Sequence, residues 1–238
     1  MRLAVNIDHI ATLREARGGA EPDPTAGARI CERAGAAGIV CHLREDRRHI
    51  HDRDVRLLRK SIKTRLDLEM AATEQIIKIA IDIHPDLTTL VPERRQELTT
   101  EGGLDVKRNE LWLGKTISRL HRHDVPVSLF VDPVNDQIKA AARIGADFIE
   151  IHTGEYSNAR AARAARRHLE RIRETASFAR SLGLGVNAGH GLNYTNIRPI
   201  ALIEAIEEVS IGHAIISRAV FVGLHAAVSE MVRLVKGK

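Results

Sequence analysis

The feature that most constrains this chain is a regular alternation of short apolar runs with longer amphipathic segments. The short runs predict eight strands: Arg2–Asp8, Gly38–Leu43, Arg65–Met70, Leu87–Pro92, Pro126–Asp132, Phe148–Thr153, Gly185–Gly189 and Glu207–His213. Most of them are almost continuously apolar, which is typical of parallel strands covered on both faces. Eight strand–helix units in 238 residues, with no linker between them, predict one α/β domain over residues 1–238, a (β/α)8 barrel. The alternative is an open doubly wound sheet, but no GxGxxG follows the first strand.

Two kinds of local signal refine this prediction. Asp23-Pro24-Thr25 and Asp132-Pro133 each predict a helix start, with Asp132 interpreted as a cap rather than a catalyst. The connections after strands four and six are longer than a barrel requires, so we expect extra helical elements in both. In the first of them, Thr99–Gly103 is polar and contains glycine, which makes it a candidate lid.

Arginines recur at helical spacing in the connection after strand six: Arg160, Arg163, Arg167 and Arg171. We interpret them as the charged face of an added helix. A stripe that binds single-stranded nucleic acid is the alternative, although such stripes usually carry interleaved aromatic residues. Tyr156 alone does not supply them.

Composition narrows the classes of protein. The 44% hydrophobic and 28% charged residues are ordinary globular values. Cys31 and Cys41 are too far apart for a CxxC motif, so we expect a reduced, cytoplasmic protein. Since no apolar run approaches the roughly 20 residues of a membrane span, we expect no membrane association.

The net charge of +5 is compatible with nucleic acid, anionic lipid or phosphorylated small molecules as binding partners, and does not choose among them.

Polar residues collect where the predicted strands end, which is where barrels of this class place their active sites. Five of the twelve histidines lie at these positions: His9, His42, His152, His190 and His213. This convergence predicts an enzyme. Glu69 lies inside the apolar run Leu66–Met70, where burial would raise its pKa toward neutrality and suit it to proton transfer. The alternative for Glu69 is a structural carboxylate with an ion-pair partner.

Two glycine–histidine segments, Asn187–Gly191 and Ile211–Ala214, follow the last two strands. Barrels often bind a phosphate there through backbone N–H groups at a helix N-terminus. Arg17 and Arg44 are candidates for a second anion site, because a guanidinium group can bind a phosphate through two hydrogen bonds.

Two further kinds of chemistry are less well supported. A zinc site built from His9, His42 and His190 is possible, but no HExxH-type spacing accompanies it. No predicted strand contains a lysine, which disfavours an aldolase that forms a Schiff base on a strand lysine.

The residues in these positions resemble the pyridoxine 5'-phosphate synthase family. The matching segments follow one another through essentially the whole chain: Val5–Arg14, His42–Ile50, Leu68–Met70, Leu90–Glu93, Thr99–Val106, Phe148–Gly154, Val186–Gly191 and Ile211–Ile216. The resemblance implies a (β/α)8 barrel that joins 1-deoxy-D-xylulose 5-phosphate to 3-amino-2-oxopropyl phosphate. The products would be pyridoxine 5'-phosphate, phosphate and water. It also implies a cytoplasmic homo-octamer with no metal, no organic cofactor and no nucleic-acid partner.

Matching motifs imply roles for individual residues. His42 and Glu69 would accept protons, and His190 would donate one. The residues implied to bind the amino-ketone phosphate are Asn6, Arg17, Gly191, Gly212 and His213. Those implied to bind the deoxyxylulose phosphate are Asp8, His9, Arg44, His49 and Thr99, and Glu150 would be a further polar residue of the site.

Two other functions remain open at this point. One is a metal-dependent epimerase or aldolase that acts on a sugar phosphate with the same barrel. The other is an RNA-binding protein that uses the arginine-rich segment, whose binding would depend steeply on salt.

Overall fold

Eight parallel strands form a closed barrel in a computed structural model that describes residues 1–93 and 102–237. The strands are β1 (Arg2–Asn6), β2 (Gly38–His42), β3 (Arg65–Met70), β4 (Leu87–Leu90), β5 (Val127–Val131), β6 (Phe148–His152), β7 (Gly185–Gly189) and β8 (Glu208–Ile211). Each strand pairs with the next along the chain, and β8 closes the barrel on β1, where Val5 pairs with Ile211. The predicted (β/α)8 barrel is therefore confirmed, with all eight strands in the predicted order.

Helices surround this barrel. Those within the described ranges are α1 (Asp8–Glu15), α2 (Pro24–Arg33), α3 (Asp52–Ser61), α4 (Glu74–Ile83), α5 (Glu110–His121), α6 (Asn135–Arg143), α7 (Gly154–Ser157), α8 (Ala162–Ser181), α9 (Ile197–Ala201), α10 (His213–Val222) and α11 (Leu224–Val235). Their apolar faces pack on strands such as β2 and β5, in which every residue is buried. The core between the two layers is therefore aliphatic.

The two predicted helix starts have different outcomes. Asp23 caps α2, since its carboxylate accepts the N–H groups of Thr25 and Ala26. The prediction that Asp132 caps the next such helix is wrong. Val134 is the N-cap of α6 and makes no side-chain capping bond, whereas the Asp132 carboxylate is hydrogen-bonded to the ring of His152.

The predicted extra helical element after β6 is present as the short helix α7. The arginine-rich segment is not an added helix, however. Arg163, Arg167 and Arg171 lie in the first half of α8, the 20-residue helix that leads to β7, and Arg160 precedes it. The corresponding prediction after β4 falls largely on residues 94–101, which lie outside the described part of the chain.

One helix that the sequence did not reveal begins directly after the first strand. α1 starts at Asp8, so Asp8 and His9 lie on the first turn of a helix and not on the end of a longer strand. Both residues therefore stand at the rim of the barrel, at the carboxyl end of β1.

Cys31 and Cys41 are buried, free thiols. None of the helices in the described ranges is long and apolar enough to cross a membrane.

Candidate active site

A cavity of about 430 Å³ lies at the carboxyl ends of the strands. It is lined by eight of the residues that the sequence proposed for the site: Asn6, His9, Glu69, Glu150, His190, Gly191, Gly212 and His213. They come from β1, β3 and β6, from the first turn of α1, and from the segments after β7 and β8. The barrel topology thus brings together residues that are up to about two hundred positions apart in the sequence, because all parallel strands end at the same rim.

Asp8 connects the ends of two neighbouring strands. Its Oδ2 accepts a hydrogen bond from Nδ2 of Asn6 at 3.0 Å, and its backbone N–H donates to Oδ1 of Asn6 at 2.9 Å. Its other oxygen, Oδ1, accepts the backbone N–H of His42 at 2.8 Å. Asp8 therefore holds the end of β2, and with it His42, against the end of β1.

Two carboxyl groups in the cavity favour the protonated form. Removal from water raises the pKa of Glu69 well above its usual range, and the charges of Glu150, Asp8 and Asp67 raise it further. The same desolvation, with the charges of Asp67 and Glu208, raises the pKa of Glu150 to about 8. A carboxyl group with a raised pKa is a stronger base once it is ionised, so both groups suit general acid–base catalysis.

Gly189 makes room for the Glu150 carboxyl group. A Cβ atom at position 189 would lie 2.0 Å from Oε1 of Glu150, far inside van der Waals contact. With the Glu150 carboxyl group in this rotamer, the close approach of β7 leaves no space for a side chain at position 189.

His190 follows β7 with its backbone in the left-handed region, at a φ of 74°, and Gly191 follows with a φ of 82°. Such a φ is uncommon for a residue with a side chain, and sparsely populated conformations of this kind cluster at active sites. Burial, with a smaller contribution from the charge of the neighbouring His152, lowers the pKa of His190 to about 4. In the free protein the His190 ring is therefore neutral at physiological pH.

His9 and His213 form a second pair of rings in the cavity, with their centroids 5.1 Å apart in an edge-to-face arrangement. The Nδ1 atom of His9 is buried and has no hydrogen-bond partner among the described residues. Burial lowers the pKa of His9, an effect that the charge of Asp8 opposes and that of His213 reinforces. A buried ring nitrogen without a partner is available to a ligand.

The end of β2 and the loop after it contribute three further predicted groups: His42, Arg44 and His49. His42 is buried, and its ring lies 6.3 Å from that of His49. Arg44 is 4% exposed, with its Nε 3.4 Å from Oδ1 of Asp46. Burial lowers the pKa of His49, and the nearby charges of His42 and Arg44 reinforce this effect while Asp8 opposes it.

A buried ion pair holds the backbone of this loop in place. The guanidinium group of Arg14 binds both oxygens of Asp54, at 2.9 and 2.8 Å, and donates to the backbone carbonyl of His49 at 2.7 Å. Because the pair is bidentate and buried, it holds the His49 backbone in one place.

One predicted site residue does not line the cavity, and another lies outside the described part of the chain. Arg17 is exposed in the turn after α1. Thr99 lies outside the described residues, as does most of the candidate lid Thr99–Gly103, of which only Gly102 and Gly103 are described.

The groups that could hold a metal ion differ from those that the sequence suggested. Within residues 1–93 and 102–237, one atom each from Asp8, His42 and Glu69 lie within 4.8 Å of one another. The combination of His9, His42 and His190 does not form such a group in the same ranges. Carboxylate and imidazole groups are acceptable ligands for several divalent cations.

Sequence reasoning missed two pairings beside the cavity. Nε2 of His42 lies 2.8 Å from Oε1 of Glu93, and Nδ1 of His152 lies 2.9 Å from Oδ1 of Asp132. Glu93 carried a signal, since it closes the segment Leu90–Glu93 directly after a strand. The sequence pattern at Asp132 indicated only a helix cap.

The closed barrel, with carboxyl and imidazole groups at one rim, defines the class of this protein: a (β/α)8-barrel enzyme. The sequence matches the family described as "Pyridoxal phosphate biosynthesis protein PdxJ" over residues 3–237. The chain belongs to this family, whose members are enzymes of vitamin B6 biosynthesis.

Individual relatives agree with this assignment. A pyridoxine 5'-phosphate synthase from Geobacter sulfurreducens is 60% identical over 235 residues, which cover 99% of this chain and 98% of the relative. One from Pelodictyon phaeoclathratiforme is 57% identical over 99% of this chain and the whole of the relative. Among solved structures, phosphoribosyl anthranilate isomerase from Thermus thermophilus superposes with a TM-score of 0.64, over 100% of this chain and 99% of its own, at 11% identity. This last similarity concerns the fold alone.

Proposed function

We propose that this chain condenses 3-amino-2-oxopropyl phosphate with 1-deoxy-D-xylulose 5-phosphate and closes the pyridine ring to give pyridoxine 5'-phosphate, phosphate and water. The observation that carries this proposal is the 60% identity to a pyridoxine 5'-phosphate synthase over nearly the full length of both chains. The cavity fits this chemistry, because it combines several proton-transfer groups with segments suited to phosphate.

The reaction supplies its own amine. An imine forms between the amino group of one substrate and the ketone of the other, so the enzyme needs no lysine to form a Schiff base. None of the eight barrel strands in the described ranges contains a lysine. The later elimination, dehydration and ring closure require repeated proton transfers, for which the rim offers carboxyl and imidazole groups.

In this proposal the amino-ketone phosphate binds at the ends of β7 and β8. α10 begins at His213 and runs for ten residues, so the N–H groups of its first turn can bind an anion beside Gly212. Asn6, Gly191 and the exposed Arg17 complete this half of the site. The negative charge of the bound phosphate would raise the pKa of His190, so that it becomes a proton donor only when substrate is present.

The deoxyxylulose phosphate occupies the other half. Arg44 supplies a buried positive charge for its phosphate. Asp8, His9, His49 and Thr99 complete the binding groups proposed for it. His42 and Glu69 accept protons between the two substrates, and Glu150 supports charge that develops beside Glu69.

The proposal includes a cytoplasmic homo-octamer. Large apolar side chains are exposed near the end of α10 and the start of α5, including Phe221 at 86% and Leu111 at 76%. Exposed apolar side chains of this size are typical of surfaces that become buried against another subunit. Sedimentation of the purified protein would measure the assembly directly.

The function is tested by incubating metal-stripped protein with both substrates and following phosphate release together with product mass. We expect pyridoxine 5'-phosphate to form only when both substrates are present. A folded protein that yields no product under these conditions would contradict the proposal.

A metal-dependent enzyme acting on a sugar phosphate is the second candidate. The observation in its favour is the proximity of Asp8, His42 and Glu69. It requires that a chelator abolishes activity and that a divalent cation restores it, whereas the first proposal requires turnover in the presence of the chelator.

A further inference from the structure

Glu93 lies three residues beyond the end of β4, at the last described position before residue 94. Its Oε1 atom is 2.8 Å from Nε2 of His42, and the side chains of Glu93 and His42 are only 6% and 7% exposed. This hydrogen bond joins Glu93 to His42, which is a proposed proton acceptor.

The Glu93 carboxylate is held in place by backbone groups from two other segments. The N–H of Ala71, just beyond β3, donates to its Oε1 at 3.1 Å, and the N–H of Glu45, in the loop after β2, donates to its Oε2 at 3.1 Å. Since both of these partners can only donate, each carboxylate oxygen must act as an acceptor.

The charge state of Glu93 agrees with this geometry. Burial by itself raises the pKa of Glu93, but the hydrogen bond and charge of His42, with the N–H of Glu45 and the charge of Arg44, bring it below its usual value. An ionised carboxylate has no hydrogen to donate. The hydrogen between Glu93 and His42 therefore belongs to the histidine ring.

We infer that Glu93 is a positioning residue, which holds the His42 ring with a hydrogen on Nε2 and leaves Nδ1 as the atom that accepts a proton. The inference rests on the proposed function, in which His42 is a proton acceptor. When Nδ1 takes up a proton, the imidazolium forms next to a carboxylate that is already oriented toward it. A fixed negative charge in this position stabilises the charged ring without any rearrangement.

Several other ionisable groups lie around His42: Asp8, Glu69, His49 and Arg44. A test must therefore isolate the contribution of Glu93. Glu93→Gln removes the charge but keeps the size of the side chain. Glu45→Gln makes the same change on an exposed side chain in the loop that contacts Glu93, so it is the matched control.

We expect Glu93→Gln to lower kcat by about 10- to 100-fold, the usual effect of removing a group that orients a functional histidine. KM for both substrates should change little, because the hydrogen-bond partners of Glu93 are His42, Ala71 and Glu45, none of which is proposed to bind substrate. The acid limb of the pH profile should move to lower pH, since a neutral neighbour stabilises the imidazolium less. Glu45→Gln should behave as the unsubstituted protein, and Glu93→Asp should return the acid limb toward its original position.

Nitrogen NMR of histidine-labelled protein provides a readout that does not depend on activity. In the unsubstituted protein the His42 signals, assigned by their loss in His42→Gln, should show hydrogen on Nε2. Hydrogen on Nδ1 would overturn the inference, and so would a Glu93→Gln enzyme with an unchanged rate and pH profile. If the unsubstituted protein makes no pyridoxine 5'-phosphate, the proposed function fails and the NMR result alone decides the role of Glu93. The same measurement decides it if Glu93→Gln does not fold.

Discussion

The ring of His152 is hydrogen-bonded to Asp132 and packs edge-on against the ring of His190. Nδ1 of His152 lies 2.9 Å from Oδ1 of Asp132, and the two imidazole centroids are 5.1 Å apart. The bond from His152 lowers the pKa of Asp132, although partial burial opposes it, and the N–H of Gly103 lowers it further. The carboxylate is therefore an acceptor, and it orients the ring that forms one wall around the proposed proton donor.

Asp132→Asn tests whether this orientation matters for turnover. We expect kcat to fall by about tenfold, because an amide no longer fixes which nitrogen of His152 carries the hydrogen. The matched control is Asp136→Asn on α6, whose carboxylate forms an exposed ion pair with Lys107 at 2.8 Å. Steady-state rates for both variants are the measurement, and equal rates would contradict a role for the Asp132–His152 pair.

Glu69→Gln should nearly abolish turnover and leave the fold intact. The amide keeps the shape of the side chain but cannot take up or release a proton, and loss of a general acid–base group typically costs about 100- to 10,000-fold. Glu74→Gln, at an exposed position on α4, removes the same charge far from the cavity and serves as control. Near-normal turnover in Glu69→Gln, with an unchanged circular dichroism spectrum, would remove Glu69 from the mechanism.

His190 should remain neutral in the free protein until the pH falls to about 4. An NMR titration measures this directly, with the signal assigned by its loss in His190→Gln. Because burial is the larger cause of the lowered pKa, His152→Gln should raise it only in part. A free-protein His190 that titrates near its usual pKa of 6.5 would show that the ring is not buried as described.

The contribution of Asp67 to the stability of the barrel should fall as the pH rises from 5 to 7. Burial is the main reason that the pKa of Asp67 is raised from 3.8 to about 7, so the folded state binds a proton that the unfolded state has released across this range. The sign follows from linkage. A group whose pKa is raised by folding contributes its full stability below the pKa of the unfolded state, and this contribution is lost as the pH rises through the pKa of the folded state.

Asp67→Asn isolates this contribution, because the amide oxygen can still accept the bond from Thr89. Between pH 5 and 7 the free energy of unfolding of the unsubstituted protein should fall by about 1.4 kcal/mol per pH unit relative to that of the variant. Urea unfolding at several pH values measures the difference. If the free energies of unfolding of the variant and of the unsubstituted protein change with pH in parallel, the titration assigned to Asp67 is contradicted.

The strands could be predicted because most of them are nearly continuous apolar runs, and parallel strands buried on both faces leave that pattern in the sequence. Their ends were less certain. The sequence extended β1 to Asp8 and β8 to His213, whereas α1 begins at Asp8 and α10 at His213. An apolar pattern does not mark the point at which a strand turns directly into a helix.

The members of the site were predictable for a similar reason, since the barrel places the ends of all strands at one rim. Their pairings were not. The Glu93 carboxylate meets His42 because β2, β3 and β4 are in a particular register, and that register brings Ala71 and Glu45 to the same carboxylate. At Asp132 the local pattern predicted a helix cap, whereas the carboxylate is hydrogen-bonded to His152 on the next strand.

The close approach of Gly189 to Glu150 links two positions that are 39 residues apart in the chain. As long as residue 150 carries a long acidic side chain in this rotamer, any side chain at 189 must displace it. Related sequences should therefore vary at these two positions together or not at all, with larger residues at 189 only where position 150 has become small. The same linkage restricts redesign of the barrel: a larger residue cannot replace Gly189 in β7 unless the carboxyl group of Glu150 on β6 leaves its present position.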